Sequence, residues 1–229
     1  MYPCSFYGKK SLKEALEEIY NKLYNEFGPQ GWWPAKTSFE VIIGAILTQS
    51  VNWINVEKAI YNLKEYNHRL TGKAELSMQL LDGLEQEKLA ELIRPSGYYN
   101  MKARKLKAFI NFLLQEYEGN LNKMFEEKLE ILRPKLLNIY GIGPETADSI
   151  LLYAGQYPIF VIDAYTKRLF SRCALAPEQV DYHQLQQLVM ENFSPQVARY
   201  NEYHALIVAI GKNFCKKNNP NCRKCPLSG

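Results

Sequence analysis

The segment LLNIYGIGPETADSILLYA sets Gly141, Ile142 and Gly143 immediately ahead of Pro144. Two glycines let a backbone turn tightly and come close to another body. Proline at the next helix's first turn leaves that turn's amides facing outward, a seat for a phosphate group. Such capture positions a polyanion without reading its sequence; an ordinary turn between helices can use the same residues. Asp163 follows the apolar run YPIFVI and precedes AYTKRLFSR. Aspartate at that point caps a helix, and a cap also fixes the carboxylate in space. Cys215, Cys222 and Cys225 have the spacing C-x6-C-x2-C, a poor disulfide framework and a good metal cluster. Joined by His204, they would make a zinc set of three thiolates and one imidazole. Trp32, Trp33 and Pro34 stand together, and Trp53 follows just beyond LTQSVN; such rings serve as core or as stacking faces.

Helical period dominates the elements that must position these residues. Leu12, Ala15, Leu16, Ile19, Leu23 and Phe27 share one face, and Ser11 with Glu14 makes a capping box. Thr37 and Glu40 repeat the box ahead of FEVIIGAILTQ, whose apolar middle predicts a central, buried helix. Gly97 closes the next helical region and MKARKLKAFINFLLQEY opens another. Its basic run, Lys102, Arg104, Lys105 and Lys107, reads as a solvated helix face that could also follow phosphates. Ala147, Ile150, Leu151 and Ala154 form a stripe on a helix begun by Pro144 and ended by Gly155. No stretch alternates with the period of a strand; VIIGAIL and YPIFVI are the ambiguous runs. The chain reads as all-α.

With 229 residues, 47% hydrophobic and 23% charged, the chain has an ordinary globular balance and can bury a core. The net charge of +4 fits a polyanionic partner without requiring one. Val41 to Leu47 is too short to span a bilayer, and MYPCSFYGKKSLKEALEE has no apolar core of the signal-peptide kind. The expectation is a soluble, cytoplasmic, monomeric protein with no membrane partner. Cys4 and Cys173 read as ordinary thiols.

IYGIGPETADSI resembles the helix-hairpin-helix of the endonuclease III superfamily of DNA glycosylases, usually L-P-G-V-G-x-x-T-A, with Tyr140 where proline is common. Asp163 stands eighteen residues after Glu145, the family spacing of its catalytic aspartate. FEVIIGAILTQ, the run from Gly97 to Ala103 and the C-terminal cysteines follow the same pattern. The resemblance implies that Asp163 stabilises the sugar cation as a base leaves and orients the nucleophile. It implies that Gln49 fills the gap left by a flipped base and that the hairpin residues Gly141, Ile142 and Gly143 contact DNA; Lys167 and Arg168, beside Asp163, are further candidates for its phosphates. It implies a 4Fe-4S cluster on Cys215, Cys222 and Cys225, whose fourth cysteine would fall two residues past Gly229.

Bifunctional members carry a lysine two residues after the second hairpin glycine, and Glu145 stands there, so imine chemistry by that route is disfavoured. The WWP, FE and LTQ arrangement with RPSGYYN resembles the 3-methyladenine branch. In that branch Trp32, Trp33, Pro34, Trp53 and Glu145 would line the base pocket, with π-faces and a carboxylate suited to a cationic alkylpurine. The expected architecture is two helical lobes, residues 37–157 with the hairpin in a six-helix lobe, and 1–36 with 158–229 carrying the cysteine loop. Duplex DNA with a damaged base would lie between them, with Asp163 at the seam. The expected activity is monofunctional release of an alkylated purine. The alternatives are a bifunctional glycosylase and abasic-site lyase acting on oxidised pyrimidines, and a non-catalytic DNA-binding module.

Overall fold

The computed structural model describes residues 10–228, and every regular element among them is helical. Cys4 lies outside the described residues. The helices are α1 (Leu12–Phe27), α2 (Ser38–Leu47), α3 (Trp53–Thr71), α4 (Met78–Gly83), α5 (Gln86–Leu92), α6 (Tyr99–Tyr117), α7 (Leu121–Phe125), α8 (Leu129–Leu137), α9 (Pro144–Ser149), α10 (Ala164–Arg172), α11 (Tyr182–Asn192) and α12 (Val197–Asn213). A π-helical turn, Ile150–Ala154, continues α9. None of the described helices is long and apolar enough to cross a membrane.

The chain divides into two compact units: Trp33–Gly155, and the described residues up to Trp32 joined with those from Gln156. The Trp33 ring is built into the first of these. That ring meets Trp53 edge-on at 5.2 Å and Tyr153 at 5.2 Å. Its indole nitrogen would lie 3.1 Å from a β-carbon on Gly44, so a small residue there makes room for it.

Within Trp33–Gly155, α2 is buried from Phe39 to Leu47. Thr37 Oγ1 accepts from the Glu40 amide at 3.1 Å, but the Glu40 carboxylate is buried and pairs with Lys64 at 2.6 Å. Only half of the expected capping box forms here. Before α1 both halves form: Ser11 N–H donates to Glu14 Oε2 at 2.8 Å and Glu14 N–H to Ser11 Oγ at 3.3 Å. At the other end of α2, Lys102 Nζ donates to the carbonyls of Leu47 at 2.8 Å and Ser96 at 2.6 Å. Burial, with Lys105 adding to it, pulls the Lys102 ammonium down to about 8. Lys107 Nζ donates to the carbonyls of Leu81 and Asp82 at 2.8 Å. The basic run of α6 is therefore not a solvated face. Long aliphatic stems thread past apolar neighbours and set their charged heads on helix-terminal carbonyls that would otherwise lack donors. Arg104 stays exposed, its guanidinium 5.0 Å from the Tyr140 ring.

In the other unit α1 packs on α12, burying Leu16, Ile19 and Leu23. The Tyr203 ring lies 4.8 Å from Phe193 and 5.5 Å from Tyr20, and its hydroxyl donates to the Leu16 carbonyl at 3.1 Å. The ambiguous run YPIFVI forms neither helix nor strand. Ile159 to Ile162 are buried, and side chains satisfy this backbone: Gln186 Nε2 donates to the Phe160 carbonyl at 2.6 Å. The run delivers Asp163 to the start of α10.

Candidate functional site

The hairpin between α8 and α9 is closed from within. The Ile142 amide donates to the Ile139 carbonyl at 3.1 Å, and the Ile142 side chain is buried. Its N–H is thus spent on the turn, and Ile142 acts as the anchor of the hairpin. Arg133 on α8 holds the fully buried carboxylate of Asp148 on α9 with two bonds, 2.7 Å from Nε and 3.0 Å from Nη2. A fork of this kind fixes the two helices against each other.

The two glycines do different things. Gly141 has φ +78°, and a β-carbon there would stand 2.5 Å from the Lys105 stem. Glycine is required by the backbone and by the lysine lying across it. Gly143 is exposed, and nothing lies within 4 Å of the position a β-carbon would take. Close approach of another backbone is open at Gly143. Glu145 is exposed on the first turn of α9.

Gln49, just past α2, is docked on this hairpin. Its Nε2 donates to the Gly141 carbonyl at 3.1 Å and to Thr146 Oγ1 at 2.9 Å, and its Oε1 accepts from Lys105 Nζ. Trp53 opens α3 edge-on to Trp33, with Pro34 exposed beside it in sequence. Trp32 falls in the other unit, where Lys212 Nζ lies 5.9 Å from its ring.

Asp163 caps α10 with one oxygen: Oδ1 accepts from the Thr166 amide at 2.7 Å and from Thr166 Oγ1 at 2.9 Å. The other oxygen, Oδ2, lies 3.6 Å from Nε2 of the buried His204, and the Asp163 side chain is 12% exposed. Burial by itself drives this carboxyl up; His204 and the Thr166 hydrogen bonds outweigh it, and the net direction is below the ordinary aspartate value. His204 therefore faces the carboxylate of Asp163.

Lys167 Nζ donates to the Val180 carbonyl at 3.3 Å. Arg168 Nε donates to the Cys215 carbonyl at 2.7 Å, and its guanidinium lies 4.9 Å from the Tyr165 ring. Arg172, which the sequence reading missed, donates to the carbonyls of Lys216 at 2.7 Å and Lys217 at 3.1 Å. The two arginines hold the cysteine loop by its backbone, because a segment with few apolar residues has little else to anchor it. Cys215 is buried, Cys222 and Cys225 are half-buried, and no disulfide joins them. Among the described residues no group of three or more histidine, cysteine or acidic side chains is placed to hold a metal ion.

An all-helical chain with a glycine hairpin and an aspartate capping a later helix has the features of a DNA-repair glycosylase. The HhH-GPD superfamily of base excision DNA repair proteins matches residues 43–195, and the chain belongs to that family of DNA glycosylases. A Methanocaldococcus jannaschii protein named as a DNA repair glycosylase is 43% identical over 221 residues, covering 96% of each chain. The crystal structure of H. pylori 3-methyladenine DNA glycosylase bound to 1,N6-ethenoadenine aligns with a TM-score of 0.73 at 32% identity, covering 89% of this chain and 98% of that one. A trapped endonuclease III–DNA covalent intermediate shares the fold, with a TM-score of 0.79 at 20% identity over 94% of this chain and 93% of that one.

Proposed function

We propose that this protein releases an alkylated purine from duplex DNA by hydrolysis and leaves an abasic site. The observation that carries the reading is Glu145, which stands where bifunctional relatives in the resemblance have the imine-forming lysine. A carboxylate cannot attack the sugar as an amine does. Similarity to a 3-methyladenine DNA glycosylase bound to 1,N6-ethenoadenine supports the alkylpurine class.

In this reading the C1′–N bond of the flipped nucleotide breaks and its electron pair leaves with the base. A purine that is already cationic gains its neutral form in doing so. Asp163, ionised and held by Thr166 through one oxygen, stabilises the positive sugar. Water, oriented by the Asp163 carboxylate, adds to C1′ and gives its proton to solvent. Gly143 and the first-turn amides of α9 take a phosphate of the duplex, and Lys167 and Arg168 add positive charge. Gln49 occupies the space the base has left, and Trp33, Trp53 and Glu145 receive the base. The cysteine spacing supports a 4Fe-4S cluster on Cys215, Cys222 and Cys225 as a structural element of the C-terminal loop.

The test is a panel of duplexes carrying alkylated purines, oxidised pyrimidines or mismatches, scored for free base and for strand breaks before and after hot alkali. Release of alkylpurines with breaks only after alkali is expected. Release of oxidised pyrimidines with breaks before alkali would replace this reading with a bifunctional one.

A further inference from the structure

Lys105 and Gln49 come from stretches far apart in the chain and meet at the hairpin. The Lys105 stem crosses Gly141 so closely that a β-carbon there would lie 2.5–2.6 Å from three of its carbons. The ammonium at its end donates to Gln49 Oε1. Gln49 Nε2 donates in turn to the carbonyl of the same Gly141 at 3.1 Å and to Thr146 Oγ1 at 2.9 Å. Lysine and hairpin glycine thus grip the same carboxamide from its two sides.

The chemistry of these partners fixes the orientation of the amide. An ammonium can only donate, so it selects the oxygen of Gln49; a peptide carbonyl can only accept, so it selects the nitrogen. The flipped arrangement would set two donors together at Lys105 and two acceptors together at Gly141. A free glutamine side chain loses rotamer entropy when it is fixed. Here that loss is met before any DNA arrives, because three partners already hold the side chain on the hairpin. Burial lowers the Lys105 ammonium from its ordinary value. A desolvated ammonium is drawn strongly to an acceptor that stays within reach.

We infer that Lys105 is the positioning residue for Gln49: it couples the hairpin to the side chain that fills the vacated base position and fixes the orientation of its amide there. The inference rests on the proposed reading of Gln49. It adds that the fill depends on a lysine which itself belongs to neither the base pocket nor the catalytic carboxylate.

The experiment compares binding to a duplex with a stable abasic analogue against binding to the same duplex intact, because the analogue supplies the gap without any base release. Wild type, Gln49→Ala, Lys105→Met, Lys105→Gln, Lys105→Arg and the Gln49→Ala/Lys105→Met double variant are measured at fixed salt. Lys105→Met keeps a stem over Gly141, and Lys105→Gln is run beside it so that one misfolded variant does not decide the outcome. Expected is a wild-type preference for the analogue that Gln49→Ala lowers by about fivefold or more, with Lys105→Met and Lys105→Gln lowering it about as far. The double variant should fall no lower than Gln49→Ala alone, and Lys105→Arg should restore most of the preference. The maximal single-turnover rate on a damaged duplex should follow the same order, while the half-saturating enzyme concentration moves by less than about threefold.

Losses that multiply in the double variant would overturn the inference, since Lys105 would then act without Gln49. An unchanged preference in both lysine-neutral variants would overturn it as well. A preference untouched by Gln49→Ala would overturn both the inference and the gap-filling reading beneath it. Wild type that prefers the analogue with the expected coupling, yet releases no base, would strike the proposed reaction and leave the role of Lys105 standing.

Discussion

His204 Nε2 lies 3.6 Å from Asp163 Oδ2, the carboxylate oxygen that the helix cap does not use. One oxygen of Asp163 is thus a structural acceptor, and the other is reserved for charge. The arrangement explains how a nearly buried aspartate keeps a lowered pKa: desolvation pushes the carboxyl up, and the imidazole and Thr166 more than offset it. Asp163→Asn should leave the fold intact, because asparagine also caps helices. It should lower base release by about a hundredfold or more, since the lost charge acts on the transition state. Near wild-type turnover would remove Asp163 from the mechanism.

The same pair sets a pH dependence. A carboxylate with a depressed folded pKa contributes stability that is present above its unfolded value, and that contribution is lost as pH falls through the folded value. The acid limb of base release that belongs to Asp163 should accordingly lie below the ordinary aspartate range. His204→Leu removes the offsetting group and keeps the burial, so the carboxyl should move up and the acid limb with it. Single-turnover rates between pH 4 and 8 measure this; an acid limb that does not move would mean that His204 does not control the carboxylate.

Asp148 is fully buried and its carboxylate is gripped by Arg133 at 2.7 and 3.0 Å. Arg133→Met should remove both bonds from Arg133 to a buried carboxylate and destabilise the protein by about 3 kcal/mol, whereas Arg133→Met with Asp148→Leu should recover most of that loss. Denaturant unfolding of the two variants decides it. Equal stability of the single and double variants would show that the pair is not the tie between α8 and α9.

Much of this was legible in the chain, and the exceptions share a cause. Ser11 and Glu14 announced a capping box because both halves are local, and both halves form. Thr37 and Glu40 announced the same box and delivered half, because Lys64 claims the Glu40 carboxylate from α3. The apolar middle of α2 gave its burial directly. Lys102 and Lys105 could not be read, since their spacing is that of a solvated face and their partners, Leu47, Ser96 and Gln49, are set by tertiary packing. Asp163 was legible as a cap from its neighbours, but the imidazole facing it comes from α12, far along the chain. Local hydrogen bonds show in the sequence; a partner supplied by another helix does not.

The two hairpin glycines should separate under substitution. Gly141→Ala puts a β-carbon at φ +78° and against the Lys105 stem, and should destabilise the fold by about 1–3 kcal/mol. Gly143 has φ −92° and open space around it, so Gly143→Val should fold. It should weaken binding to every duplex alike, because a branched side chain holds a phosphate backbone away without touching base edges. Thermal unfolding and binding to unrelated duplexes report the two effects. A Gly143→Val protein that binds as wild type would move the phosphate seat elsewhere.

Glu145 separates hydrolysis from lyase chemistry. It is exposed on the first turn of α9, at the position where bifunctional relatives in the resemblance carry lysine. With a carboxylate there, no imine forms with the sugar aldehyde by that route. Borohydride added during turnover of wild type on an alkylpurine duplex should therefore trap no covalent protein–DNA product. Glu145→Lys supplies the missing amine. It also puts a positive charge where a cationic base would be received, and like charges repel. The variant should show weak trapping and a release of cationic alkylpurines lowered by about tenfold, the size of a single unfavourable charge contact of ~1.4 kcal/mol. Release of a neutral lesion should fall less, which separates charge repulsion from general damage to the pocket. Efficient trapping in wild type would overturn the hydrolytic reading and point to another amine. No change in either trapping or release in Glu145→Lys would make Glu145 a solvated residue of the helix's first turn, favoured there by the helix dipole alone.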